Sequence, residues 1–283
     1  MKGYKPFALT LILLLFLSFP AAGAERIVSL APAVTEALFA LGEGASVVGV
    51  TDFDVSPEEV LALPRVGGYL DPSLERILSL RPTLVVGTET FHGPLLERLA
   101  TLVPRTLSLS LHRRLDDVEK ALLALGGYLG KEAEARAVWN RIDGDLEALR
   151  QRIALRFGER PPSLLVVVWT DPLTIAGGVN YLDDLMDRLG IPNAAGDVVY
   201  TFPQVDREKV LAMDPDLVIV AKASRGMVIE DDDFIALFDD LPLRAVRKGA
   251  VTELPADVLF HPGPGVVEAA RLLAETVERW GEP

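Results

Sequence analysis

The chain has no cysteine and only three histidines, and both shortages narrow what it can do. Without cysteine there is no disulfide framework, no thiolate nucleophile and no thiol for lipid attachment. His92, His112 and His261 are too few and too dispersed for a high-affinity zinc cage, so neither a metal site nor a resident cofactor is expected. Hydrolase signatures are missing as well: there is no Gly-x-Ser-x-Gly elbow and no His-Glu-x-x-His. Gly127 to Lys131 suggests a phosphate loop, but Leu125 stands where its first glycine belongs and Glu132 where Ser or Thr should follow the lysine. Gly263-Pro264-Gly265 lacks the third glycine of a dinucleotide fingerprint, although a helix starting there can still receive an anion or an amide oxygen. Basic charge is also short, at 28 Lys and Arg against 41 Asp and Glu, which makes nucleic acid an unlikely partner.

Long apolar runs are absent beyond the N-terminus, where Lys2 and Lys5 precede an apolar stretch from Ala8 to Phe19 and small residues at Ala22-Gly23-Ala24. Twelve residues make a helix of about 18 Å, short of a hydrocarbon core of roughly 30 Å. Residues 1–24 are therefore expected to be a cleaved signal peptide, leaving a soluble periplasmic protein with no lipid anchor. The remaining 259 residues carry 26 basic against 41 acidic side chains, a balance of −15. The acidic residues are scattered apart from the run Glu230 to Asp233.

What is present is a repeat. Pro72 to Gly87 and Val205 to Val220 align over sixteen positions with an offset of 133, and five are identical: Glu75/Glu208, Leu78/Leu211, Pro82/Pro215, Leu84/Leu217 and Val85/Val218. Each copy predicts a short helix with a glutamate in its first turn, a stop at Arg81-Pro82 or Asp214-Pro215, and a buried β-branched strand. Strands and helices alternate around both copies, the pattern of a largely parallel sheet covered on both faces. Between the copies, Val138, Ile142, Leu146, Leu149, Ile153 and Phe157 recur at helical spacing with no proline from Lys131 to Phe157. The chain thus reads as α/β, with two Rossmann-like lobes (25–130 and 159–283), one long helix joining them (131–158), and a ligand cleft between. In the first lobe Phe91-His92-Gly93-Pro94 is expected to be a loop, followed by a helix from Leu95 to Leu102.

Such folds place ligand contacts just past strand ends, and aromatic residues sit there: Phe53, Tyr69, Trp169 and Phe202 lie past predicted strands or beside Pro, Gly or Asp. Flat rings on two facing lobes suit a large planar ligand. His92 and His261 fall in Gly- and Pro-containing loops after predicted strands and join the candidate list.

Taken together, Arg26 to Glu36, Gly68 to Glu75, Arg81 to Val86, Phe202 to Glu208 and Pro262 to Glu268 resemble the periplasmic substrate-binding proteins of ABC importers whose lobes are joined by one long helix. This group serves cobalamin, haem and iron-siderophores, and the chain looks most like its cobalamin-binding members. The resemblance implies capture of cobalamin or a related corrinoid by a monomer, with delivery to a permease dimer and its ATPase subunits. Glu75 and Glu208 fall where those members dock an arginine pocket on each permease subunit. Phe53, Phe202 and Tyr69 fall on or near their aromatic contacts, and Asp257 on an acidic cleft residue. Thr88, Thr174, Val258 and Leu259 stand where such a member carries rings. For haem, the alternative cargo, Tyr69 with His261 or His92 would supply axial ligands. Ferric siderophores, a periplasmic enzyme on the same scaffold and a signalling receptor domain are further alternatives. The long helix implies small lobe movements rather than a wide hinge.

Overall fold

The computed structural model of the protein describes residues 25–111, 114–222, 238, 241–260 and 262–280. The signal segment, His112, the acidic run 230–233 and His261 lie outside them.

The first lobe is built from β1 (Ile27–Ser29), α1 (Pro32–Ala40), β2 (Val47–Gly49), α2 (Leu74–Ser79), β3 (Leu84–Thr88), α3 (Glu89–Leu99), β4 (Arg105–Leu109) and α4 (Leu115–Leu129). Then comes α5 (Glu132–Phe157), 26 residues and about 39 Å long. The second lobe contains β5 (Leu164–Thr170), β6 (Leu173–Ile175), α6 (Tyr181–Leu189), α7 (Arg207–Met213), β7 (Leu217–Lys222), α8 (Arg244–Arg247), β8 (Val251–Pro255), α9 (Ala256–Leu259) and α10 (Val266–Trp280). The sheets run β2-β1-β3-β4 and β6-β5-β7-β8. Every pairing is parallel except β5 with β6, a short hairpin. The lobes therefore differ at one edge: α1 crosses over to a parallel β2 in the first, and β5 turns back on itself in the second.

The repeat holds down to single hydrogen bonds. Ser73 caps α2 by accepting from the Arg76 N–H (3.3 Å), and Asp206, 133 positions on, caps α7 by accepting from the Lys209 N–H (2.7 Å). Arg81 and Asp214, both preceding proline, take left-handed φ values of 48° and 40°. A guanidinium closes each helix end: Arg26 Nη2 donates to the Leu80 carbonyl (2.7 Å), and Arg244 Nε to that of Asp214 (3.1 Å).

Strand alternation then divides the core. Leu84 and Val86, with Leu164, Val166, Leu217 and Ile219, face the middle of the molecule, where α1, α4, α5, α6 and α10 join both sheets in one continuous apolar core. Val85 faces an outer core in the first lobe, and Leu165, Val167 and Val218 face one in the second. The stripe Val138, Ile142, Leu146, Leu149 and Ile153 on α5 is buried in the central core, as its spacing predicts. Leu146→Ala should cost about 2 to 5 kcal/mol of stability, measured by urea unfolding, with the loss appearing in one transition because both lobes share that core.

Residues 91–94 depart from expectation. They lie inside α3, which starts at Glu89 and ends at Leu99 rather than spanning Leu95 to Leu102. Pro94 is only the sixth residue of the helix, so its missing N–H forfeits one early hydrogen bond, while His92, Leu96 and Leu99 bury one face.

Candidate ligand-binding site

Residues that follow the C-terminal ends of parallel strands in both lobes, Phe53 after β2 and Asp257 after β8, meet where open α/β sheets place ligand sites. A cavity of about 140 Å³ lies there, lined by Glu36 and Phe53 from the first lobe and by Asp257, Val258, Gly265 and Glu268 from the second. Phe53 is 45% exposed. Its loop is stiffened by Asp54, whose Oδ2 accepts from the Thr51 N–H (2.8 Å) and Thr51 Oγ1 (2.5 Å), and by Arg65, which donates to the carbonyls of Thr51 (2.6 Å) and Asp54 (2.8 Å). Burial pushes the Asp54 carboxyl above its ordinary value, although hydrogen bonds from Thr35 and Thr51 and the Arg65 charge oppose this.

Tyr69 is half-buried, its ring 5.1 Å from that of Phe91 and 5.2 Å, edge-on, from that of His92. His92 does not line the cleft. It is 1% exposed, its Nδ1 accepts from the Thr88 N–H (3.0 Å), and its Nε2–H donates to the Tyr69 carbonyl (2.8 Å). With both ring nitrogens occupied, His92 supports Tyr69 from beneath, which corrects its reading as a ligand contact. Burial pushes its imidazole pKa down and pushes the Tyr69 phenol up, so Tyr69 is held in its protonated form.

On the second lobe, Trp169 (37% exposed) stands near the end of β5 with its indole N–H donating to the Asp171 carbonyl (2.6 Å). Phe202 (45% exposed) meets Phe260 edge-to-face at 5.9 Å. Asp257, in the first turn of α9, shares the cavity with Phe53. The structure thus brings Phe53 and Asp257 to one cavity, sets Phe202 on a loop of the second lobe, and places Trp169 within β5, paired with Thr174 of β6, rather than past the strand. His261 lies outside the described residues. Phe260, Phe91, Leu70 and Tyr200 were missed from sequence; the last three are exposed apolar residues on the same loops as, or adjoining, those singled out. A search for every exposed ring beside Tyr69, His92 and Phe202 would have found Phe91 and Tyr200.

A family profile described as periplasmic binding protein matches residues 27–258. The chain belongs to that family. It is 28% identical to a vitamin B12-binding protein of Yersinia pseudotuberculosis over 272 residues, covering 95% of this chain and 92% of that one. It is 25% identical to the ABC transporter substrate-binding lipoprotein YvrC of Bacillus subtilis, covering 89% of this chain and 80% of that one. Among solved structures, the periplasmic heme-binding protein RhuT of Roseiflexus sp. RS-1 superposes with a TM-score of 0.79 at 29% identity, covering 92% of this chain and all of that one. Among the described residues of this periplasmic binding protein, no group of three or more His, Cys, Asp or Glu side chains is arranged to hold a metal ion, and no helix is long and apolar enough to cross a membrane.

In this binding protein the loop bearing Phe202 is seated by backbone contact. Gly177 and Gly178 donate to the carbonyls of Thr201 (3.1 Å) and Val198 (2.8 Å), and a Cβ on Gly178 would lie 1.9 Å from the Gly196 carbonyl oxygen. Gly178→Ala must therefore move the 196–202 loop, and it should lower stability by about 1 to 3 kcal/mol in thermal unfolding. Glu75 and Glu208 are exposed in the first turns of α2 and α7, and neither is in an ion pair among the described residues.

Proposed function

We propose that this periplasmic binding protein captures cobalamin or a related corrinoid between its lobes and delivers it to an ABC importer, whose permease dimer, coupled to ATPase subunits, docks on Glu75 and Glu208. The observation that carries the reading is the cleft's composition. Each lobe presents apolar rings, paired as Tyr69 with Phe91 and Phe202 with Phe260, and Phe53, Phe91, Trp169 and Phe202 are exposed. Among the described residues, the charged groups lining the cavity beside Phe53 are all carboxylic: Glu36, Asp257 and Glu268. Apolar faces bury a large flat macrocycle, and carboxylates accept from the amide N–H groups on a corrin's rim. Of these, the Asp257 and Glu268 carboxylates, the second paired with Arg271, disfavour the propionates of haem and the negative charge of many ferric siderophore complexes. The vitamin B12-binding relative, which aligns over 95% of the chain, supports the same ligand class.

Haem is the second reading, favoured by the likeness to RhuT. Against it, both ring nitrogens of His92 are engaged, and the charged groups lining the cavity are carboxylic. Titrating the purified protein with cyanocobalamin, cobinamide and haemin, by calorimetry and visible spectroscopy, separates the two. Binding heat with the corrinoids is expected. A shifted haemin Soret band with no corrinoid heat would overturn the proposal in favour of haem, and silence with all three would transfer it to siderophores.

A further inference from the structure

The start of α10 is occupied from the opposite lobe. Glu36 of α1 lies 229 positions away in sequence, and its Oε2 accepts from the Gly265 N–H at 2.9 Å, at the N-terminus of a fifteen-residue helix. The approach is close along the whole turn. A Cβ on Gly263 would lie 2.9 Å from the Cα and Cβ of Ala33, and one on Gly265 would lie 2.7 Å from Glu36 Oε2. The anion-receiving turn that the Gly-Pro-Gly sequence suggests is therefore filled by a side chain of the protein itself, at the seam between lobes and in the wall of the ligand cavity.

We propose that Glu36 is a proton-linked tie between the lobes: protonated, it is accommodated in the closed seam, and ionised, it favours a parted arrangement in which water reaches its carboxylate. Only the ligand arm of this proposal rests on the corrinoid reading. The surroundings set the direction. Asp54 faces Glu36 from the Phe53 loop, and Asp257 of α9 and Glu268 of α10 line the same cavity. Tyr181 of α6 buries a hydroxyl with no partner among the described residues, and the Glu36 charge raises its pKa further. Arg65, the cation beside Asp54, is engaged with the carbonyls of Thr51 and Asp54. Glu268 is paired with Arg271 of the same helix (2.7 Å), so one backbone N–H is set against burial and the charge of Asp54. Burial is the largest influence and, helped by the Asp54 charge, lifts the Glu36 carboxyl to about 7 against the opposing Gly265 hydrogen bond. A carboxyl raised in the closed form binds its proton more tightly there than when exposed, near 4.5. Its contribution to closure is then fully present below about 4.5 and is lost as pH rises through about 7. Acid tightens the seam and neutral to alkaline conditions loosen it.

The test is hydrogen exchange by mass spectrometry on the ligand-free protein, following the segment 262–270 from pH 5 to 8 after correction for intrinsic exchange. In the wild-type protein the opening equilibrium should rise about tenfold or more over that range. Glu36→Gln keeps an oxygen for the Gly265 N–H but cannot ionise, so its seam should stay closed and flat with pH. Gly265→Ala, which displaces the carboxylate, should open the seam across the range. Asp54→Asn should shift the wild-type profile without abolishing it. A Glu36→Gln protein that keeps the wild-type pH response, or a wild-type seam that does not respond, overturns the proposal. Should Glu36→Gln fail to fold, a wild-type response retained in Gly265→Ala overturns it equally. Cyanocobalamin affinity measured at the same pH values should fall on the alkaline side in the wild type only. Because exchange is read without ligand, failure of the corrinoid reading leaves the test of the tie intact.

Discussion

Uptake through the reconstituted importer should fall tenfold or more when Glu75→Ala and Glu208→Ala are combined, while ligand affinity stays within about twofold of wild type. Both side chains are exposed, in the first turn of equivalent helices, and neither touches the cleft cavity. Removing them costs the fold only the helix-dipole term, about 0.3 to 1 kcal/mol each. Their worth lies in a partner. On the proposed docking, two equivalent carboxylates, one per lobe, would match a two-fold symmetric permease, and losing both would remove the charge pairs that steer and orient it. Each single substitution should give an intermediate loss. Unchanged uptake in the double variant would instead support a receptor that signals without an importer.

The second large effect is expected in the cleft. Phe202→Ala and Phe53→Ala should each weaken corrinoid binding by about 2 kcal/mol, roughly thirtyfold, because each removes a ring presented to the ligand from one lobe. The rings belong to different lobes, and Phe202 packs on Phe260 rather than on Phe53, so the double variant should lose roughly a thousandfold. Calorimetry measures both. Leu155→Ala on α5, 88% exposed and outside the cavity, serves as the control and should leave affinity unchanged. A double variant that binds as the wild type does would remove these rings from the site.

Much of this architecture could be read from the sequence because its causes are local. Pro82 and Pro215 stop two helices, and the β-branched runs behind them have no polar face, so they had to be buried strands. The α5 stripe needs only a period of 3.6. What escaped depends on distant partners or on tolerance. Pro94 reads as a loop marker, yet it sits early enough in α3 for the buried face of His92, Leu96 and Leu99 to outweigh it. His92 looked like a ligand because its sequence neighbours are Gly93 and Pro94; in space its neighbours are Thr88 and Tyr69, which take both nitrogens. The β5–β6 hairpin has no counterpart in the first lobe, so the repeat gave no warning of it. The Glu36–Gly265 contact joins residues 229 apart, and no local pattern in either segment announces the other.

The repeat also has a consequence for how occupancy could be reported. In each lobe an aromatic residue of the cleft loops precedes the docking glutamate by six residues: Tyr69 leads to Glu75, and Phe202 to Glu208. Each pair is joined by a short capped segment, ending on Ser73 or Asp206, with no flexible linker between. On the proposed docking, these six-residue connections would link the seating of either ring to the position of the glutamate that the permease meets. The two lobes would then act as a pair of matched probes: a ligand seated evenly against both rings would bring the two glutamates to one spacing, and a poorly seated one would leave them mismatched.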